Sequence, residues 1–508
     1  MSYPVSDWIE YYAAGAPDKI AMREIPSGRN FTYAQMHERV ARCAGMLRAK
    51  GIERGDRVAY LTLNSTDTME LIFACWRIGA IAVALNFRLT PPELKFILEN
   101  SETSLCLVDS PFTAIKDALA GNCCVKHWVL TGGMGGESEY ETGLAAADTV
   151  YEMVEQKLED QCLLMYSSGT TGTPKGVIIT HGMMYFSIAS GVSATGTTSD
   201  NVSLSNMPLF HIGGLNVTAI PAIWYGSTTV IMRMFDPKMT LDAIDDSDLG
   251  VTTLFMVPAA YNALKAMPNV EEIDFSRLKI ALCGAEAVPV ALCEWWMGKN
   301  VIIQEGYGMT ETAAVGSLLT KEHIPHRVGS AGKSGMHSRI RIVDEGGKDC
   351  APNVPGEIWF KGAAITPGYW RRPDANAESF VDGWFRSGDI GRMDEEGFLY
   401  IEDRVKDMYI SGGENVYPAE VENVLYQMPQ IVEVAVIGVP CEKFGETGCV
   451  YAAVKADAVL ELSEVQSHVT AQLAKFKHPS HLRIVKALPR TASGKVQKFI
   501  LRDQFSQG

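Results

Sequence analysis

Between residues 57 and 109 the chain repeats one unit, a short apolar run followed by a segment with helical spacing, and that rhythm leaves few folds open. Val58–Leu63 reads as a buried strand. Thr66–Gly79 follows as a helix with Met69, Phe73 and Trp76 on one face and Gly79 as its stop. Ile81–Leu85 is the next strand, Pro91 opens a helix carrying Leu94, Ile97 and Leu98, and Leu105–Val108 is strand again. Strands that are apolar on both faces need cover on both faces, which predicts α/β architecture with parallel-rich sheets covered by helices. The rhythm resumes after residue 160 and lasts to about residue 320.

The texture changes after about residue 335, where Arg339–Val343, Glu357–Lys361 and Phe398–Ile401 are short β segments broken by glycine. These predict a small β-barrel-like subdomain. Around Arg404–Asp407 the composition turns charged and a compact α/β tail follows. In it Pro418–Met428 is a helix with Val421, Val424, Leu425 and Met428 at core spacing, and Val432–Val439 is a strand. A boundary at this charged stretch gives a large N-terminal domain, residues 1–405, and a small C-terminal domain, 406–508. Thr131–Gly143, rich in Gly and Glu, reads as a surface loop.

Composition excludes several classes. Lys and Arg number 45 against 60 Asp and Glu, a net charge of −15, which does not suit nucleic acid as a partner. The 11 cysteines show no CxxC or Cys/His ligand spacing and read as reduced thiols. The opening residues, MSYPVSDWIEYYAAG, carry neither a basic region nor an apolar run. Leu71–Leu85 is the most hydrophobic stretch, yet it contains Arg77 and is too short to span a bilayer, so it reads as a buried helix followed by a strand. A cytoplasmic protein without a transmembrane segment is expected, with peripheral membrane contact and homodimer formation left open.

The strongest local signal is Tyr166-Ser-Ser-Gly-Thr-Thr-Gly-Thr-Pro-Lys-Gly176, between the apolar strands Cys162–Met165 and Val177–Thr180. Ser167, Ser168, Thr170, Thr171 and Thr173 offer hydroxyls. Gly169, Gly172 and Gly176 let backbone N–H groups approach an anion, and Lys175 adds charge. Such a loop suits a polyphosphate. It is not the strand–GxxxxGK[ST]–helix loop, because Gly172 and Lys175 have the wrong spacing, and the GKS at Gly332–Ser334 has Arg327 where its first glycine belongs.

These residues resemble the signature loop of the adenylate-forming superfamily: acyl-CoA synthetases, peptide-synthetase adenylation domains and luciferases. Further matches follow in that family's order: Pro208–Gly214, Gly284–Glu286, Tyr307–Glu311, Trp384–Asp389, Asp403–Asp407 with Gly412–Pro418, and Pro489–Lys495. The resemblance spans nearly the whole chain and is closest to bacterial fatty-acyl-CoA synthetases. It implies an ATP-dependent acid–CoA ligase that makes an acyl-adenylate and pyrophosphate and then passes the acyl group to coenzyme A. ATP, Mg²⁺ and coenzyme A are the implied cofactors.

The resemblance also assigns roles. Tyr307 packs on adenine, with Gly284, Ala285, Glu286 and Gly308 around the base. Thr310 faces a phosphate oxygen, and Glu311, with Thr170, holds Mg²⁺. Asp389 accepts hydrogen bonds from the ribose hydroxyls and Arg404 donates nearby. His211 stands beside the acyl pocket. Lys495 reaches the carboxylate and the α-phosphate, where a cation stabilises charge gathering on phosphorus. No general base is needed, because a carboxylate is already ionised at neutral pH. Lys406 is the hinge about which a mobile C-terminal domain turns, bringing Gly412 and Gly413 to the thiol channel.

The expected acyl pocket is small and apolar, with Ile212, Gly213, Gly306 and Met309 beside His211. No Asp stands ready for an α-amino group. A medium- or long-chain fatty acid is the expected substrate, with an aryl acid of cinnamate or benzoate type as the alternative. A stand-alone enzyme loading a carrier protein, a luciferase-like oxygenase and an inactive binding protein are the other readings; the intact Lys175, Glu311, Asp389, Arg404 and Lys495 oppose the last.

Overall fold

The computed structural model describes residues 4–167, 174–324, 326–404, 407–411, 414–441, 444–470, 472–473, 475–490 and 496–507. Among these the strands form four sheets. The six-stranded sheet runs His127–Thr131, Thr103–Asp109, Arg57–Leu61, Ile81–Ala84, Gln161–Ser167 and Lys175–Thr180. Its first five strands are parallel and the last is antiparallel. The strands on either side of the Ser/Thr/Gly-rich run therefore pair with each other, down to Ser167–Lys175.

The nine-stranded sheet has a parallel centre from Ile303–Tyr307 through Ile280–Gly284, Thr253–Met256, Val202–Ser205 and Thr228–Met232 to Ile20–Ile25. Antiparallel strands close both ends. A half-barrel of five antiparallel strands follows, centred on Gly356–Gly362 and Trp384–Met393. The C-terminal α/β domain has its own sheet and its own apolar cluster around Val421, Leu425, Val436 and Val450. The α/β class, the parallel-rich sheets, the half-barrel and the separate C-terminal domain match the expectation from sequence.

Two local features depend on tertiary contacts. The helix Thr66–Ile78 is buried along its whole length, its charged residues included, as the buried-helix reading expects. Buried charge needs a partner. Glu70 accepts from Arg39 at 2.7 and 3.0 Å, and Arg77 pairs with Asp7 at 2.7 Å. Burial, only partly offset by Arg39, still pushes the Glu70 carboxyl up to about 7. The segment Thr131–Gly143 is not all loop: Glu139–Ala146 is a helix capped by Ser138 and packed against Tyr33–Ala49. Its glycine masked a helix whose support is tertiary.

All cysteines are free. No helix among the described residues is long and apolar enough to cross a membrane.

Candidate active site

One cavity of about 1720 Å³ opens where the large sheets, the half-barrel and the C-terminal domain meet. Its wall includes Ser167 and Lys175 from the hairpin neck, Tyr307–Glu311, and Asp389 from the half-barrel. Parallel strands end there, which is where open α/β sheets gather ligand groups. The predicted pocket residues His211, Ile212, Gly213, Gly306 and Met309 all line the same cavity, as do Gly284, Ala285 and Glu286. Ser168, Gly169, Thr170, Thr171, Gly172, Thr173, Lys406, Gly412, Gly413 and Lys495 lie outside the described residues. Arg404 ends the strand Leu399–Arg404, where its backbone pairs with that of Asp389.

Tyr307 and Asp389 meet directly: the phenol donates to Asp389 Oδ2 at 2.6 Å, and Asp389 is buried. An aromatic face and a carboxylate joined in this way form a corner suited to a nucleoside. Backbone shape contributes as well. Gly284 pairs with Gly306, and a Cβ on Gly284 would sit 2.4 Å from the Gly306 carbonyl oxygen. The next residue, Ala285, holds φ at 71°, a left-handed conformation that is costly for a residue with a Cβ and is found where a site is over-determined by its surroundings.

At the hairpin neck Lys175 lies with Nζ 5.1 Å from the centroid of the Tyr369 ring. The Tyr369 hydroxyl donates to Glu311 Oε1 at 2.8 Å. Burial, then the neighbouring Glu311, raises the Tyr369 phenol above its ordinary range. Among the described residues no group of three or more His, Cys, Asp or Glu side chains is arranged to hold a metal. Glu311, buried in the cavity wall next to the Thr310 hydroxyl, suits Mg²⁺ all the same, since that ion takes one or two carboxylates and completes its shell with water and substrate phosphates.

The C-terminal domain meets the cavity wall at Glu286. Arg490 Nη1 contacts both Glu286 carboxylate oxygens at 3.1 and 3.2 Å, and its Nη2 reaches Glu433 of its own domain at 2.9 Å. Burial works against the Arg490 charge, but Glu286 and Glu433 outweigh it and raise its pKa. The Val496 N–H donates to Glu286 Oε1 at 3.1 Å, so the chain neighbour of Lys495 is tied to the cavity wall of the N-terminal part.

Three residues with a place in this site were assigned no role from the sequence. Tyr369 and Arg490 gain meaning only from partners 58 and 204 positions away. Glu305, two residues before Tyr307, lines the cavity; it is 7% exposed and burial pushes its carboxyl up to about 8. Its lone acidic side chain among apolar neighbours was the one available hint.

Comparison with known proteins agrees with this geometry. The family model described as AMP-binding enzyme matches residues 9–370, and its C-terminal domain model matches 420–495. A feruloyl-CoA synthase of an Amycolatopsis species is 37% identical over 501 residues, 99% of each chain. The long-chain-fatty-acid–CoA ligase FadD13 of Mycobacterium tuberculosis is 36% identical over 479 residues, covering 94% of this chain and 93% of that one. Among solved structures, the anthranilate CoA ligase AuaEII in complex with anthranoyl-AMP superposes with a TM-score of 0.93 at 27% identity, over 99% and 97% of the two chains. From the hairpin neck to the docked C-terminal domain, the chain belongs to the AMP-binding enzyme family and is an AMP-forming acid–thiol ligase using ATP, Mg²⁺ and coenzyme A.

Proposed function

We propose that the acid is a substituted aryl acid of cinnamate or arylalkanoate type, activated as its adenylate and transferred to coenzyme A. The observation that carries this reading is polar chemistry in the acyl wall. Ser187 and Asn216 both line the cavity and both donate to the Ala313 carbonyl at 2.6 Å. That bond orients the Asn216 carboxamide and leaves its buried Oδ1 without a hydrogen-bond partner among the described residues. An unmet buried acceptor costs about 1–3 kcal/mol; Asn216 is 1% exposed, so a small shift of the wall as the acid enters would bring this acceptor to a ring hydroxyl or indole N–H, groups that a plain alkyl chain lacks. The feruloyl-CoA and anthranilate relatives support the same class. A medium- or long-chain fatty acid is the second reading, supported by the size of the cavity and by the mycobacterial relative.

In the first half-reaction an acid oxygen attacks the α-phosphorus and pyrophosphate leaves with its electron pair. Lys175 and the hydroxyls of Ser167–Thr173 hold the leaving phosphates, and Lys495 brings its cation to the reacting phosphorus. Magnesium on Glu311 and Thr170 would offset the charge that leaves with pyrophosphate. Tyr307, Gly284 and Ala285 hold the base, Glu305 offers a hydrogen-bonding edge beside it, and Asp389 with Arg404 holds the ribose. In the second half-reaction the thiol sulfur attacks the acyl carbon, AMP leaves, and the thiol proton passes to water. The domain boundary at residues 405–406, with Lys406 as hinge, lets the C-terminal domain withdraw Lys495 and bring Gly412 and Gly413 to the thiol.

ATP–pyrophosphate exchange over hydroxycinnamic, unsubstituted cinnamic, indole-acetic, fatty and amino acids, followed by coenzyme A-dependent AMP release, tests the reading. Ring-substituted acids with a hydrogen-bond donor should exchange roughly tenfold faster at low concentration than unsubstituted analogues. Exchange confined to alkyl acids would reject the aryl reading.

A further inference from the structure

We propose that Tyr369 is the positioning residue of the phosphate half of the site: its hydroxyl sets the magnesium carboxylate of Glu311, and its ring face seats Lys175. This rests on the reading of Glu311 as the magnesium ligand. Tyr369 is 6% exposed and lies on the segment that follows the half-barrel strand Gly356–Gly362. That segment runs along the outer edge of the hairpin strand Lys175–Thr180. Trp370 N–H donates to the Gly176 carbonyl at 2.7 Å, Ile178 N–H to the Gly368 carbonyl at 3.1 Å, and Val177 bridges Tyr369.

The same segment grips the turn that carries Glu311. Thr366 N–H donates to the Glu311 carbonyl at 2.8 Å, while the Thr366 hydroxyl donates to the Ile178 carbonyl at 2.7 Å. Tyr369 is itself held on both backbone groups by the Asn376 carboxamide, at 2.7 and 3.3 Å. One rigidly seated side chain thus touches a cation on one side of the triphosphate region and a carboxylate on the other. The loop lysine and the metal carboxylate come from different sheets, and this tyrosine connects them. Fixing their relative position before ATP arrives removes ordering that binding would otherwise supply, which is where preorganised electrostatics gain their effect. A tyrosine serving only as core packing would leave the Mg²⁺ requirement for nucleotide unchanged.

Calorimetric binding of the non-hydrolysable analogue α,β-methylene-ATP across a series of Mg²⁺ concentrations tests this, with Glu311→Gln as the reference for loss of the metal ligand. Tyr369→Phe keeps the ring and deletes the hydroxyl. It should raise the Mg²⁺ concentration for half-maximal binding by roughly tenfold, with affinity at saturating Mg²⁺ within about twofold of wild type. Tyr369→Leu should also lower affinity at saturating Mg²⁺ by roughly threefold to tenfold, because the seat of Lys175 is lost. If Glu311→Gln shifts the Mg²⁺ dependence and Tyr369→Phe does not, or if Tyr369→Phe weakens binding equally at every Mg²⁺ level, Tyr369 is packing and the inference is wrong. If Glu311→Gln itself shifts nothing, the metal assignment beneath it is wrong.

Discussion

Replacing Glu305 with glutamine tests whether the cavity wall holds a carboxyl that burial keeps neutral. Glu305 lines the cavity on the strand that ends at Tyr307, and its Oε2 has no hydrogen-bond partner among the described residues. Burial alone raises its carboxyl from 4.5 to about 8. Below pH 4.5 folded and unfolded chains both carry the proton, and the stability this group contributes is fully present. Between the two values only the unfolded chain ionises, so that contribution is lost as pH rises and is gone above about 8. At about 1.4 kcal/mol per pH unit the window sets an upper bound of about 5 kcal/mol, and relaxation around a buried site brings the expected effect nearer 2 kcal/mol. Glutamine does not titrate. Scanning calorimetry of the ligand-free protein from pH 5 to 9 should therefore show a Tm difference, Glu305→Gln minus wild type, that is small at pH 5. It should grow to a few degrees in favour of the variant at pH 8.5. The relevant transition is that of the N-terminal domain, because a chain of two domains need not unfold in one step. A difference that stays flat across this range, or grows toward acid, refutes the reasoning.

Two further predictions concern the closed arrangement of the domains. Arg490→Ala leaves Glu286 without its guanidinium partner at the domain contact. The loss of a partly buried charge pair should slow pyrophosphate exchange by roughly 10-fold to 30-fold, with thioester formation from supplied acyl-AMP affected less than threefold; equal losses in both assays would show that the contact does not serve adenylation. Lys495→Ala should reduce acyl-AMP formation by roughly 100-fold to 1000-fold while thioester formation from supplied acyl-AMP largely persists, and parallel losses would remove its assigned role.

Much of the architecture was legible because its determinants are local. Pro91, Leu94, Ile97 and Leu98 specify a helix start and a buried stripe, and all three apolar residues are buried in the helix Pro91–Ser101. Gly79 ends the preceding helix in the left-handed conformation expected of a stop. What local sequence did not carry is partnership. Asp67, Glu70 and Arg77 are buried in the helix Thr66–Ile78 only because Arg29, Arg39 and Asp7, which lie far away in sequence, pair with them.

The site divides along the same line. Hydroxyls, glycines and a lysine in one short loop, and a Tyr-Gly-x-Thr-Glu run near the end of a parallel strand, declare phosphate chemistry within a few residues of each other, so sequence alone determined the family and the type of reaction. Only the folded chain decided that Tyr307 donates to Asp389, that Glu286 receives Arg490, and that Tyr369 stands between Glu311 and Lys175. Those contacts join different sheets and different domains. Backbone preferences act over a few residues, whereas the meeting of distant side chains, and the raised pKa of a carboxyl such as Glu305, depend on what packing brings close and what it shuts away from water.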